Sequence, residues 1–385
     1  MRSPVTLSRH LLFRLASADA LARALRPFGR GLVSILTLHR FSNPEHGVVG
    51  HDPAALRDHL AYLHRHRYRL LSLTDVLRLL DEGDPNPGAP AVAFTVDDGY
   101  ADFASIGAPI FAEFDCPVTL FVPTGFLDGQ LWLWWDRVTY LFQQTRRPSL
   151  LVRVGSEHRP YSLSTAAERA RAREDVLNRL EWADGAARES AIGDLAHQLD
   201  VTLPAHPPPA FVPISWDDLR RTAKLGATFG PHTVTHPILP LASDDACTWE
   251  IQESYRRLRE ETDACVPMFC YPAGRARRRE LEAAQRAGLR AAVTTVPGYA
   301  APHGVPEWGP LHRFALPRFP YPDDRAHLVN IVTGLARVRR RIRHPRADAS
   351  APAAGKERSD GRPSRPHQVV DLPDFTAYTM NSGRD

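Results

Sequence analysis

Two adjacent aspartates, Asp97 and Asp98, stand between the apolar run 91–96 and a glycine. Taken alone, such a DDG sequence is a turn signal, because aspartate and glycine favour the dihedral angles that reverse a chain. Consecutive residues at a strand end point in different directions, so one carboxylate can bind a metal ion while its neighbour accepts a proton from water. The pair therefore indicates hydrolytic chemistry if further metal ligands lie nearby.

A histidine pair in GPHTVTHP, residues 230–237, supplies candidate ligands. Pro231 and Pro237 are expected to begin and end a helical turn. His232 and His236, four residues apart, would then lie on one face and reach one ion. HxxxH pairs arise by chance in a chain with 17 histidines, so the pair indicates a metal site only in combination with the aspartates. Two imidazoles and one carboxylate leave a coordination position for water, as catalytic zinc sites do.

The elements that must position these side chains begin at residue 31. Short β-rich runs alternate there with amphipathic stretches of helical length, which predicts parallel strands separated by helices. Strands are predicted at 31–39, 68–73, 91–96, 116–123, 227–230, 266–272, 289–296 and 313–319. Helices are predicted at 52–67, 74–83, 101–114, 215–226, 243–262 and 277–288. These seven or eight units predict an α/β fold with a barrel-like number of strands.

The region 130–212 interrupts this alternation and is predicted to be a helical insertion. Dense aromatic residues in helical spacing usually form a core, which predicts packing rather than sugar stacking for three tryptophans. They are Trp132, Trp134 and Trp135. The barrel is predicted to span 31–330, with its catalytic part from about 90. The remaining predicted parts are a helical segment at 1–30, a basic helix at 331–346 and a disordered tail at 347–385.

The formal net charge of +4 belongs to one short stretch. Six arginines between Arg337 and Arg346 more than account for it and leave about −2 for the rest of the chain (4 − 6 = −2), so nucleic-acid binding by the main body is not expected. The cysteines form no CxxC pair, which favours reduced, buried thiols over a disulfide framework or a thiolate zinc site. They are Cys116, Cys247, Cys265 and Cys270.

No signal peptide or transmembrane segment is predicted. Arginine interrupts every apolar run near the N-terminus, and no run approaches the roughly 18 residues that span a bilayer. The expected location is therefore the cytoplasm. For the basic helix 331–346 we favour a solvated surface, and weak contact with a membrane surface of the cell envelope is the alternative.

Four motifs together resemble those of a known family. They are TVDDG at 95–99, HTVTH at 232–236, FCYPAGR at 269–275 and AVTTVPGY at 292–299. In combination they resemble the polysaccharide deacetylases of carbohydrate esterase family four, which share the NodB homology domain, and in particular the exopolysaccharide-type branch. The resemblance runs from about 31 to 320. It implies a distorted (β/α) barrel of about seven parallel strands, with the active site at their carboxyl ends.

The resemblance also implies roles for single residues. By its place in the first motif, Asp97 resembles the catalytic base. The implied ligands of a divalent metal ion, for which we expect Zn²⁺, are Asp98, His232 and His236.

The third motif departs from the family pattern. The family usually carries an arginine there that steadies the base, whereas this chain reads Tyr271-Pro272-Ala273. YPxG text is familiar in the exopolysaccharide-type branch, so we interpret the departure as branch character. Arg318, in LPRF, is the expected substitute, and Arg275 is the weaker candidate.

Two further groups are assigned by the same resemblance. His39, in LHRF, resembles a strand-end histidine of the exopolysaccharide branch and is expected to be the general acid or a wall of the site. The alternative is a histidine that caps a neighbouring loop. The backbone N–H of Tyr271 is the expected donor to an oxyanion.

The predicted function is hydrolysis of an N-acetyl group on a carbohydrate, which releases acetate. A related hydrolase of another non-peptide C–N amide bond would use the same residues and stays open. A sugar-binding pseudoenzyme is permitted by the missing third-motif arginine, and an envelope-assembly scaffold is the remaining alternative. A cytoplasmic location favours a sugar precursor over a finished wall polymer as the substrate.

Overall fold

The computed structural model of the protein describes residues 29–336, except for residues 87, 155–156 and 301–305. Nearly all of the predicted segment 1–30, most of the predicted basic helix 331–346 and the whole predicted tail 347–385 lie outside the described residues.

Ten strands and eleven α-helices alternate through the described part of the chain. The strands are β1 (Val33–Leu38), β2 (Arg69–Leu71), β3 (Ala91–Val96), β4 (Val118–Val122), β5 (Ser149–Val154), β6 (Glu157–Ser162), β7 (Ala227–Pro231), β8 (Met268–Cys270), β9 (Ala291–Val293) and β10 (Phe319–Pro320). The helices are α1 (Pro53–Arg65), α2 (Leu73–Glu82), α3 (Ala108–Glu113), α4 (Thr124–Leu127), α5 (Trp134–Gln144), α6 (Ala166–Glu181), α7 (Gly185–Leu199), α8 (Trp216–Ala223), α9 (Asp244–Glu261), α10 (Arg278–Arg286) and α11 (Arg325–Val332).

The central sheet is parallel and has the order β10-β1-β3-β4-β7. Strand β3 pairs with β1 along its whole length, with β2 over residues 91–93 and with β4 over residues 94–96. Strands β8 and β9 form a separate parallel pair. Single bridges, Phe229–Cys265 and Val293–Leu316, connect that pair to the region of β7 and to the segment before β10. Among the described residues these single bridges, and no strand ladder, connect the two parallel sheets, and the alternation of helices with parallel strands confirms the predicted α/β barrel-like fold.

Alternate residues of the central strands face two different cores. Leu36 of β1 and Phe94 of β3 pack outward against the surrounding helices. Ile35 and Ala93 pack inward with residues of β8 and β9. Because both faces are covered, these strands are continuously buried, as their apolar sequences predict for a parallel sheet. The inward series of β3 continues through Thr95, so the next residue in register, Asp97, lies at the carboxyl end of the barrel interior.

The insertion has a hydrophobic core of its own. Helices α5, α6 and α7 enclose it together with β5 and β6. These two strands pair as an antiparallel hairpin, which the sequence analysis did not predict. The sequences of β5 and β6 are interrupted by charged and polar residues, so their local strand signal is weak. Pairing between the two neighbouring segments stabilises the strands in spite of it.

The prediction of a last strand at 313–319 is mostly wrong. Residues 306–315 form a 3₁₀ helix, and only Phe319–Pro320 pair with β1 as a strand. None of the helices in the described part of the chain has the length and hydropathy needed to cross a bilayer.

Candidate active site

Asp97 lies buried at the end of β3 and forms an ion pair with Arg318. Arg318 Nη1 donates to Oδ1 at 2.8 Å, and Nη2 donates to Oδ2 at 2.7 Å. The guanidinium is fully buried and also donates to the carbonyl of Thr294 and to the hydroxyl of Thr95. Burial alone would raise the pKa of Asp97, but Arg318 holds it below its usual value. Asp97 is therefore ionised at neutral pH and held in one orientation.

Three further side chains converge beside this ion pair. Asp98 Oδ1 lies 3.6 Å from His232 Nε2 and 3.5 Å from His236 Nε2, and the two imidazole nitrogens lie 3.1 Å apart. A tetrahedral ion with bonds of about 2.0–2.1 Å has ligand atoms about 3.3–3.4 Å apart, so the separations fit a shared cation. Burial would raise the pKa of Asp98, yet the two histidines hold it well below its usual value.

The orientation of His232 agrees with a metal site. His232 Nδ1 lies 2.7 Å from the carbonyl oxygen of Cys270, which can only accept, so this nitrogen carries a proton and Nε2 faces Asp98 and His236. Within the described part of the chain, the buried Nδ1 of His236 has no hydrogen-bond partner. Two nitrogens and one carboxylate oxygen are the donor set of catalytic zinc, so the residues fit the predicted cation.

The loop between the two histidines is not the predicted helical turn. Pro231 ends β7, and Thr233 and His236 have positive φ angles of 68° and 58°. A positive φ is unusual for a β-branched residue, and such strain persists only where the surroundings enforce it. Asp98 shares this feature, with a φ of 74°. Left-handed turns, rather than a helix, therefore bring the ligands together.

Glu250, on α9, holds this loop in place. Its carboxylate accepts from the backbone N–H groups of Val234 at 2.7 Å and Thr235 at 3.0 Å, and from the Thr235 hydroxyl. On the other side the N–H of Gly125 donates to the Val234 carbonyl, and a Cβ at Gly125 would lie 2.8 Å from that oxygen. Glu250 was not predicted from the sequence, although its position on the buried stripe of α9 was a readable signal.

His39 follows β1 and, by the alternation of side chains along the strand, lies on the same inward side as Ile35. Leu38 is paired with Val96, and the N–H of Asp97 donates to the Leu38 carbonyl, so His39 stands beside the aspartate pair. The side chain is half-buried and close enough to Asp97 and Asp98 to affect their ionisation.

Tyr271 and Arg275, the two candidate residues of the third motif, have different partners. The N–H of Tyr271 donates to the carbonyl of Val293 at 3.4 Å, so an oxyanion would have to compete with that long bond. The Tyr271 side chain is buried among Leu281 and other residues of α10, away from the aspartates. Arg275 pairs with Glu181 of the insertion, so Arg318, not Arg275, makes the ion pair with Asp97.

The insertion contributes a polar network to the wall of the site. The ring of Trp135 lies edge-on to His236, with centroids 4.6 Å apart. Its indole N–H donates to the Tyr100 hydroxyl at 2.9 Å, which donates to Asp136 at 2.6 Å. Burial raises the pKa of Asp136 to about 8. The tryptophans of α5 thus pack as predicted, but one of them packs against a candidate metal ligand.

Sequence comparison gives one family match. Residues 161–292 match the family model described as "Polysaccharide deacetylase". The matched part contains the histidine pair and the third motif, whereas Asp97 and Asp98 precede it, on the other side of most of the insertion. No curated protein matches the chain in sequence.

Solved structures share the fold. The structure described as "Streptococcus pyogenes deacetylase PplD in complex with acetate" is similar with a TM-score of 0.50 and 19% identity, over 79% of this chain and 99% of that one. The structure of IcaB from Ammonifex degensii is similar with a TM-score of 0.50 and 15% identity, over 80% of this chain and 98% of that one. The family match thereby confirms the resemblance to the polysaccharide deacetylases in sequence over the part with the second and third motifs, and the solved structures confirm the fold.

Proposed function

We propose that this protein is a metal-dependent hydrolase that removes an N-acetyl group from a carbohydrate and releases acetate and a free amine. One observation carries the proposal: a buried, ionised Asp97 lies directly beside the converging Asp98, His232 and His236. A base next to a cation site is what metal-assisted amide hydrolysis at neutral pH requires.

The cation is proposed to be Zn²⁺, held by Asp98, His232 and His236. When bound there, it would polarise the acetyl carbonyl and acidify water. The carbonyl of Cys270 orients His232, and Glu250 orients the loop that carries both histidines. Such supporting contacts keep the ligand atoms in place before the cation arrives.

Asp97 is proposed to accept the proton of the attacking water. Arg318 keeps its carboxylate ionised and fixes its orientation through two hydrogen bonds. The Arg318 guanidinium thus makes the contact with the base that the family's third-motif arginine usually makes. The absence of that arginine was the main argument for a pseudoenzyme, and Arg318 weakens it.

His39 is proposed to donate a proton to the leaving amine. It is half-buried beside both aspartates, and imidazole is the side chain that most often serves as a general acid. Expulsion of an unprotonated amine from a tetrahedral carbon is difficult, which is why an acid is needed on this side.

The substrate and its branch are proposed from the relatives. The Streptococcus pyogenes deacetylase was solved with acetate, which is the product expected here. The YPxG text of the third motif supports an exopolysaccharide-type substrate. A cytoplasmic location remains part of the proposal.

The test is acetate release from N-acetylated sugars by protein that is stripped of metal and then reloaded with zinc. We expect Asp97→Asn to bind one equivalent of zinc but to lose most turnover, and His232→Ala to lose both zinc and turnover. His39→Gln should keep zinc and lose roughly 10²–10⁴-fold in kcat, which is the usual worth of a general acid.

Thermal unfolding of each variant serves as the control, because Asp97→Asn leaves the buried Arg318 with a weaker partner. A folded Asp97→Asn protein with wild-type turnover would overturn the assignment of the base. Zinc-independent acetate release by the wild type would overturn the metal-dependent mechanism.

A further inference from the structure

Trp182 is unusually exposed at the end of helix α6. Its exposed fraction is 57%, and among the tryptophans whose side chains the structure describes, only Trp249 (51%) comes close. An exposed indole forgoes the stabilisation that burial of a large apolar side chain provides. Its position therefore points to a contact that the isolated chain does not make.

One face of this indole is already covered by a barrel residue. The guanidinium carbon of Arg275 lies 4.0 Å from the ring centroid. Arg275 is held there by Glu181, with Nε at 3.3 Å and Nη2 at 3.1 Å from Oε1. The arginine thus fixes the plane of the ring, and the exposed fraction belongs to the rest of the indole.

The position is close to the candidate active site. Arg275 follows Cys270 by five residues, and the carbonyl of Cys270 binds the candidate metal ligand His232. A turn closed by the Arg275 N–H and the Pro272 carbonyl shortens this segment. The Cα atoms of Cys270 and Arg275 are therefore at most about 14 Å apart, which is the reach of a few linked sugar units.

The chemistry of the three side chains suits a pyranose ring. One face of such a ring presents polarised C–H bonds, which pack favourably on the negative face of an indole. Its hydroxyl groups need donors and acceptors, and the partly exposed guanidinium and carboxylate of Arg275 and Glu181 can supply both. A side chain this rigid also loses little conformational freedom on binding.

We propose that Trp182, Arg275 and Glu181 form a carbohydrate subsite that binds another sugar unit of the same substrate, within a few units of the one whose acetamide is hydrolysed. The proposal rests on the proposed function for the class of its ligand. It makes an oligosaccharide or polysaccharide the substrate, in preference to a monosaccharide or a nucleotide-linked sugar. The insertion is then a determinant of substrate length, since it supplies two of the three residues.

The test compares the binding of N-acetylglucosamine and of its linked oligomers by isothermal titration calorimetry. Metal-free protein is used, so that binding is measured without turnover. Trp182→Ala should weaken oligomer binding about three- to tenfold, as expected for the loss of an aromatic stack, and should leave monosaccharide binding unchanged. Trp182→Tyr should restore most of the affinity. Trp249→Ala, on helix α9, is the matched control and should bind oligomers like the wild type.

With zinc restored, the expected change for Trp182→Ala is a higher KM for oligomers at an unaltered kcat. Wild-type oligomer affinity in Trp182→Ala, equal losses for monosaccharide and oligomers, or no oligomer binding by the wild type would each overturn the subsite. Trp182-dependent oligomer binding without acetate release from any substrate would support the subsite and overturn the proposed deacetylase activity.

Discussion

Replacing Arg318 by methionine should destabilise the protein severely, and replacing Asp97 by asparagine in the same chain should reverse most of that loss. Both side chains are nearly inaccessible to water, with exposed fractions of 0% and 4%. Breaking a buried ion pair by removing one partner costs about 3–5 kcal/mol, because the other charge stays buried without compensation. Removing both charges leaves neutral side chains of similar size, which is often close to neutral for stability.

The pH dependence of the effect follows from the pKa of Asp97. Burial raises it and Arg318 lowers it by more, so its folded value lies below the unfolded one. The ion pair therefore stabilises the protein above the unfolded pKa, and this stabilisation is lost as the pH falls through the folded pKa. In Arg318→Met the lowering effect of the guanidinium is lost while burial still raises the pKa of Asp97, so the carboxyl group holds its proton to higher pH. The difference in stability between the variant and the wild type should therefore shrink in acid.

The assay is a double-mutant cycle of the free energy of unfolding, with urea denaturation of the four proteins at neutral pH. The bonds from Arg318 to Thr294 and Thr95 are lost in both the single and the double variant, so they cancel in the coupling energy. We expect a coupling energy of about 3 kcal/mol or more. Zinc-dependent turnover should be absent in both proteins that lack Asp97 and strongly reduced in Arg318→Met.

Additive losses in the cycle would refute this reasoning, because they would mean that the two charges do not compensate each other. A refolded Arg318→Met protein with wild-type kcat would refute the role of Arg318 in holding the base. If Arg318→Met alone proves too unstable to purify, the stability of the double variant still tests the reasoning, because a double variant that is equally unstable would contradict charge compensation.

Two further predictions concern the surroundings of the site. Glu250→Ala removes the acceptor of the Val234 and Thr235 amides and should weaken zinc binding about 10–100-fold, measured by competition with a chelator. Glu250→Gln keeps one acceptor oxygen and should lose less zinc affinity. Equal zinc affinities of the wild type and Glu250→Ala would contradict the role of Glu250. Burial raises the pKa of Asp136 to about 8, so stability should fall as the pH rises from about 4 to about 8. Asp136→Asn retains an acceptor for the Tyr100 hydroxyl and should lack this fall, which makes it the more stable protein above pH 8 by a few kcal/mol. Parallel curves of melting temperature against pH would contradict this prediction.

Much of the barrel was readable from the sequence because its signals are local. The strand β3 was predicted with its observed bounds, since an unbroken apolar run before a turn leaves little choice. Most of the barrel helices were predicted to within a few residues, because their caps and apolar stripes are both present. Helix α2, for example, ends before Gly83 as predicted, although its capping residue is Ser72 and not Thr74, the predicted cap.

The errors lie where distant contacts override local preference. The segment 313–319 has a strand-like composition, but residues 313–315 belong to a 3₁₀ helix, Leu316 makes a single bridge to β9, and only Phe319 lies in a strand. The two prolines around the histidines indicated a helical turn, whereas Glu250 and the Gly125 amide hold an irregular loop instead. Propensity is a weak prior when a buried carboxylate satisfies the backbone of a loop.

The sequence by itself was enough to propose the type of chemistry, since adjacent carboxylates and a spaced histidine pair are defined by residue identity and short spacing. It also determined the parallel α/β architecture, which follows from local periodicity. Only the tertiary structure decided which arginine faces Asp97, because Arg318 is 221 residues away along the chain and reaches it through the inward side of the barrel. It likewise placed Trp182 next to Arg275, and the physical reason is the same: ion pairs and stacking depend on distances in space, which spacing along the chain does not encode.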